Sequence, residues 1–352
     1  MSRTQRATVR DVATLAGVST ATVSRVFDPA YTHLVAQETR ERVLAAAEQL
    51  NFSINHVARS LKTRATKTVA LIAPELANDF FMELIESMDQ VLEKAGYTLL
   101  VASSSNSVAE EQKRLTLFAE RLVDGIVVIP AGARGEHLER MNRQGMPLLL
   151  VDRLVEGCAL DAVLSANEDA AAALTRALLQ DGYRRIAFVG GDISISTARE
   201  RLAGYGRAMA AAGLPADGSL VRLGGMGVAD GYMRMEEILN SSEPPDALVA
   251  VNLLVHLGMQ KRLLEEYRKG ESVPPFAIAA FDRTDYSAFL PRCVYIAAQD
   301  ATGLGATAAD RILTKIKTTQ SQITPEKSRG LNVQELEPEI VRLPVKILPA
   351  GL

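Results

Sequence analysis

The first hydrophobic pattern in the chain is short and helical. Val9, Val12, Ala13 and Ala16 recur at helix spacing behind Thr8, with an acid, Asp11, three residues after it, so the run predicts a capped helix that Gly17 ends. A second short helix follows at once, with Ser19 as its cap and Val23, Val26 and Phe27 on one side. After the turn-rich Asp28–Thr32 stretch, Val43, Leu44, Ala47 and Leu50 predict a third helix over Gln37–Leu50. Helix, tight glycine turn and helix, closed by a third helix, make an all-α helix-turn-helix head.

From Thr68 the pattern changes. Short apolar runs (Val69–Ala73, Tyr97–Ala102, Gly125–Ile129, Pro147–Val151) alternate with amphipathic stretches over 80–96, 109–122 and 135–144. A second series repeats the alternation, with runs at Ile186–Gly190, Ala247–Val251 and Phe276–Phe281 and helices over 166–180, 197–212 and 254–267. Such alternation predicts parallel sheets covered by helices on both faces, and two series predict two lobes facing a cleft. The α/β body is therefore two-lobed. Ligands in open α/β sheets lie at the carboxyl ends of the strands, which draws attention to the loops opening at Ala73, Val151, Gly190, Val251, Phe281 and Ala298.

Composition adds three constraints. At 352 residues the chain is long enough for two or three cores, and it has no apolar run of membrane-spanning length. Its N-terminus, MSRTQRATVRDV, lacks the apolar stretch of a secretory signal, so a cytoplasmic protein with no membrane partner is expected. The two cysteines, Cys158 and Cys293, and the four histidines are scattered, so reduced structural thiols and neither metal nor cofactor are expected.

Charge divides the chain. The net charge is -3, yet residues 1–66 carry nine basic side chains (Arg3, Arg6, Arg10, Arg25, Arg40, Arg42, Arg59, Lys62, Arg64) against five acids (Asp11, Asp28, Glu38, Glu41, Glu48). A basic head on an acidic body fits a protein in which only the head meets phosphate. The second helix offers Thr20, Ala21, Thr22, Ser24 and Arg25, short groups and one bidentate donor suited to base edges in a major groove. Arg25 is the first candidate for a guanine contact.

The run Thr8–Val26 (TVRDVATLAGVSTATVSRV), followed by Thr39-Arg-Glu-Arg-Val43 and Asn55-His-Val-Ala-Arg-Ser-Leu61, resembles the head of the lactose-repressor (LacI/GalR) family. The resemblance continues through a periplasmic-binding-protein-like sensor whose chain crosses between lobes three times. It implies double-stranded, pseudopalindromic operator DNA as partner, contacted by Thr8 and Ser19 as well as the second helix, and a homodimer. It also implies a hinge in which Asn55, Ala58, Arg59 and Leu61 meet the minor groove, Leu61 as an apolar wedge that unstacks one base step. Ile54 stands where the family usually has proline, and the loop from Phe27 to Leu34 is longer than in the shortest members. The domains implied are a DNA-binding head over 1–52, a hinge and linker over 53–66 and an effector-binding, dimerising body over 67–352. Within the body, one lobe takes about 67–165 and 296–320, the other about 166–295 and 321–352.

The effector positions that match the family are Asp152, Arg201, Asn252, Asp282 and Gln299, with Phe80 as an apolar face and Arg153 and Thr197 completing the shell. Met226 sits where some members stack an aromatic, Leu253 where an aspartate is common, and Arg283 where an acid is usual. An Arg fork beside a carboxylate suits vicinal hydroxyls, so a sugar-like effector that releases a repressor of carbohydrate-metabolism genes is the leading reading. A co-repressor such as a purine or sugar phosphate is the alternative, and Arg153 and Arg283 would suit an anion. Gly303-Leu-Gly-Ala-Thr-Ala308 passes as a dinucleotide-binding turn, but it lies near the C-terminus and no ribose-binding acid follows. Close helix packing is the better explanation. No nucleophile elbow, phosphate loop or zinc-protease motif occurs, so no enzyme is expected.

Overall fold

A computed structural model describes residues 7–28, 31–52, 65–121, 123–214, 218–270, 272–322 and 338–350. The chain divides into two compact units, Met1–Thr66 and Lys67–Leu352.

The head is three helices, α1 (Val9–Ala16), α2 (Thr20–Val26) and α3 (Gln37–Gln49). Thr8 and Asp11 form a reciprocal capping box, and Gly17 closes α1 at φ 66°, where a side chain would be strained. Val12, Val23, Val26, Val43, Ala46 and Ala47 form its core, edged by Phe27 and Phe52. Leu44, expected inside, is 42% exposed because α3 turns Ala46 inward instead.

The body carries strands β1 (Thr68–Ala73), β2 (Thr98–Ser103), β3 (Gly125–Val128), β4 (Leu148–Val151), β5 (Ala162–Ser165), β6 (Ile186–Val189), β7 (Val221–Arg222), β8 (Ala247–Ala250), β9 (Ala277–Phe281), β10 (Cys293–Ala298), β11 (Ile340–Leu343) and β12 (Lys346–Pro349). They form two six-stranded sheets, ordered β11-β5-β4-β3-β1-β2 and β12-β10-β9-β8-β6-β7. All pairings are parallel except β10 with β12. Successive residues of β1 alternate between two cores, Val69 and Leu71 facing one and Ala70 and Ile72 the other, which is why its sequence is apolar throughout.

Helices α4 (Asp79–Lys94), α5 (Val108–Glu120), α6 (Glu136–Arg143) and α11 (Ala301–Gln322) accompany the first sheet, and α7 (Asn167–Gln180), α8 (Ser196–Ala211), α9 (Val228–Leu239) and α10 (Leu253–Lys269) the second. The chain crosses between lobes after β5, after β10 and between β11 and β12.

The lobe boundaries differ from the expectation. Residues 296–298 belong to the second sheet through β10, and 340–343 return to the first through the β11–β5 pairing. β11 is a four-residue edge strand with little pattern to read, and β10 lies inside the second sheet, between β9 and β12. The same brevity hid β5 and β7, and α9 lies where no element was expected. Residues 323–337 lie outside the described residues.

Gly305 explains the false dinucleotide motif. A Cβ there would stand 2.2 Å from the Leu84 carbonyl, so this glycine lets α11 lie against α4, as the packing reading holds. Among the described residues no helix is long and apolar enough to cross a membrane, and no cluster of metal-ligating side chains occurs. Burial pushes the Cys158 and Cys293 thiols up to about 12, so neither is a thiolate at neutral pH.

One buried histidine gives the body a pH signature. His256 is 1% exposed on α10, and Gln260 Nε2 lies 2.9 Å from its Nε2. The same amide nitrogen donates to the Pro291 carbonyl at 2.7 Å, so it is also a donor to His256 and the ring is neutral. Burial pushes the imidazole down to about 4 from 6.5. The unfolded chain therefore binds the proton first, and stability falls as pH drops from about 6.5 to about 4. The expected loss is about 3 kcal/mol, at about 1.4 kcal/mol per pKa unit. Urea unfolding at pH 7 and pH 4.5 checks this against His256→Gln, which cannot titrate; an equal loss in the variant would remove His256 as the cause.

Candidate functional site

A cavity of about 380 Å³ lies between the lobes, and all nine residues singled out from sequence line it: Phe80, Asp152, Arg153, Thr197, Arg201, Met226, Asn252, Asp282 and Gln299. They converge because parallel strands end at one edge, where the loops and the first turns of the following helices, among them α4 with Phe80 and α8 with Thr197 and Arg201, carry the side chains.

The two aspartates occupy equivalent places in the two lobes. Asp152 follows β4 at φ 66° and Asp282 follows β9 at φ 72°, a left-handed conformation that Asp tolerates better than most residues. Each is followed by an arginine. Arg153 is buried in the cavity wall, whereas Arg283 is exposed and lies outside this cavity, which removes it from the expected shell.

Arg201 is the best-anchored group. It is 3% exposed, with Nε donating to Asn167 Oδ1 at 2.8 Å, Nη1 donating to the Val251 carbonyl at 2.7 Å, and its guanidinium 3.9 Å from the Phe281 ring centroid. Burial lowers its affinity for the proton, opposed by the charges of Asp282 and Asp152. Burial raises the Asp152 carboxyl, opposed by Arg153 and Arg201. Asp282 is fully engaged, accepting from the Leu253 N–H at 3.2 Å and from Gln299 Nε2 at 2.6 Å.

Asn252 is committed to structure. Its Oδ1 caps α10 through the Val255 N–H and its Nδ2 donates to the Met226 carbonyl, so its amide shapes the wall. Phe80 presents an aromatic edge packed against Phe81. Nothing among the described residues hydrogen-bonds Nη2 of either arginine or Oγ1 of Thr197, and Asp152 Oδ2 has only Arg153 Nε at 3.6 Å. Asp152 Oδ1, Arg153 Nε and Gln299 Oε1 are buried without hydrogen-bond partners among the described residues. Donors and acceptors are thus both left over, the requirement for binding hydroxyls, which do both.

Reading from sequence missed Glu75, Asn78, Asn106, Asp192 and Asp230 in the lining. The loops opening at Ala73 and Gly190 pointed to Glu75, Asn78 and Asp192 without selecting them. Asp230 was hidden by the unseen α9, whose first turn it caps by accepting from the Gly225 and Gly227 N–H groups. With these included, five carboxylates (Glu75, Asp152, Asp192, Asp230, Asp282) face two guanidiniums. A wider cavity of about 800 Å³ between Asp79, Arg283 and Lys346 shares only Gln299 with the predicted set.

In the head, Thr20, Ala21, Ser24 and Arg25 are exposed on α2 and Thr22 is half-buried. Ser19 Oγ accepts from the Thr22 N–H at 3.1 Å and lies 2.9 Å from Thr22 Oγ1, while Ser24 donates back to the Thr20 carbonyl. Thr8 is held by Asp11. Arg25 is therefore the long donor that this surface presents. Asn55, Ala58, Arg59 and Leu61 lie outside the described residues.

Residues 8–55 match the family described as bacterial regulatory proteins, lacI family. Residues 66–340 match periplasmic binding proteins and sugar binding domain of LacI family. The chain is 30% identical over 345 residues to the HTH-type transcriptional repressor PurR of Vibrio atlanticus, covering 97% of this chain and 99% of that one. A solved complex of the transcriptional regulator CelR with cellobiose shares 25% identity at a TM-score of 0.67, covering 98% of this chain and 100% of that one. The Lac repressor bound to ONPG has the same fold at a TM-score of 0.80 and 23% identity, covering 99% and 100%.

Proposed function

Because the chain belongs to the LacI family of bacterial regulatory proteins, we propose that it is a DNA-binding transcriptional repressor governed by a neutral, hydroxyl-rich effector, a sugar or sugar derivative, in the inter-lobe cavity. The observation that carries this is the lining: unpaired donors and acceptors together, with carboxylates outnumbering guanidiniums. A phosphate or carboxylate ligand would meet that excess of negative charge, which opposes the sugar-phosphate alternative. Cellobiose held by CelR is consistent with a sugar. The protein acts in the cytoplasm as a homodimer on a pseudopalindromic operator and performs no catalysis.

Selection of duplexes from a random pool by the full chain tests the DNA half. An inverted repeat should be enriched, and recovery of no common sequence would refute the reading. On the selected operator, Arg25→Ala should cost about 1–3 kcal/mol of discrimination at one base pair per half-site. A titration over single-base variants checks this, and an unchanged base preference would reject Arg25 as the reader.

A further inference from the structure

Arg342 lies outside the cavity lining, on β11 in the third crossover, yet its contacts lead to Arg201 by two routes. Its guanidinium grips Glu200 with both forks, Nη1 to Oε2 at 3.1 Å and Nη2 to Oε1 at 2.9 Å. Glu200 precedes Arg201 on α8, in the other lobe. Arg342 Nη1 also reaches the Ser165 carbonyl at 3.4 Å, at the end of β5. The same carbonyl accepts from Asn167 Nδ2 at 3.3 Å, and Asn167 Oδ1 is the acceptor that holds Arg201 Nε. Two of the three crossovers therefore meet at one carbonyl, beside the helix that carries the best-anchored group of the cavity.

We propose that Arg342 is a positioning residue for Arg201, holding the helix backbone through Glu200 and the guanidinium through Ser165 and Asn167. The inference rests on Arg201 belonging to the effector site, but the geometry it asserts is independent of which effector binds. A two-pronged Arg–carboxylate pair fixes orientation as well as distance, which one surface ion pair through a single contact would not. The pair joins β11 of the first sheet to α8 of the other lobe, so a change in lobe arrangement acts on it.

The test needs no ligand. Phenylglyoxal reacts with guanidinium groups, and for a side chain as buried as Arg201 the rate follows local opening of its surroundings. Peptide mass spectrometry of the full-length protein would follow Arg201 and, as an internal reference, Arg153, which is equally buried but anchored to the Pro130 carbonyl. Arg342→Ala should speed labelling of Arg201 about fivefold or more, the change matching loss of an interaction of about 1 kcal/mol, and leave Arg153 unchanged. The exchanged pair Glu200→Arg with Arg342→Glu should bring labelling to between the Arg342→Ala and wild-type rates, because it rebuilds the ion pair but a glutamate at 342 cannot donate to the Ser165 carbonyl. Equal acceleration at both arginines would show general loosening and overturn the proposal, as would unchanged labelling of Arg201. An exchanged pair labelled as fast as Arg342→Ala, or Glu200→Gln labelled at the wild-type rate, would also count against it. None of these outcomes depends on the effector being a sugar.

Discussion

Replacing Arg201 by methionine should abolish effector binding and destabilise the body, while operator binding without effector persists. The substitution keeps length and apolar contact with Phe281 but removes the donors to Asn167 Oδ1 and the Val251 carbonyl. Those acceptors are left buried, at about 1–3 kcal/mol each, and Asp152 and Asp282 lose a facing positive charge. A loss of about 3–5 kcal/mol of stability follows. Effector affinity should fall about a hundredfold or more, since charged hydrogen bonds are the stronger class. Arg201→Lys should recover part of the stability but little of the affinity, because an ammonium cannot present the planar fork. Denaturant unfolding and calorimetric titration check the two effects, and near-normal values of both would remove Arg201 from the centre of the site.

A second large effect is expected at Gly231, one residue after Asp230 of the cavity wall. A Cβ there would lie 2.0 Å from the Val255 carbonyl oxygen and 2.8 Å from its Cα, where α9 crosses α10. Gly258 faces the same crossing, its Cβ position 2.0 Å from the Val228 carbonyl. The obstacle is backbone, so relief requires the helices to separate, and Gly231→Ala should cost about 3 kcal/mol or more, at the upper end for overpacking. Gly206, on α8, has nothing within 4 Å of its Cβ position. Gly206→Ala should instead stabilise by about 0.5–1 kcal/mol through helix propensity alone. Thermal unfolding of the two variants should move in opposite directions, and a shared direction would contradict the packing argument.

Much of this was legible in the chain because the determinants are local. Thr8 with Asp11, Gly17 and Ser19 fix the head by capping and turn chemistry within a few residues. The strand-end rule pointed to the loops that open on the cavity, and the family resemblance selected the nine side chains that line it. What sequence did not disclose depends on contacts between distant segments. Asn252 as a cap, Arg283 outside the cavity and the return of 340–343 to the first sheet each follow from three-dimensional neighbours rather than spacing. Asn167, which holds Arg201, carries no motif and becomes visible only when the first crossover is seen beside α8.

A neutral, hydroxyl-rich ligand is expected in the inter-lobe cavity. The most direct measurement is the thermal midpoint of the full-length protein against neutral sugars, sugar acids, phosphorylated sugars and nucleosides, in wild type and Arg201→Met. A neutral sugar should raise the wild-type midpoint and leave the variant unmoved. Stabilisation by a phosphorylated sugar or a purine with none by any neutral sugar, or a shift that survives in Arg201→Met, would contradict the account.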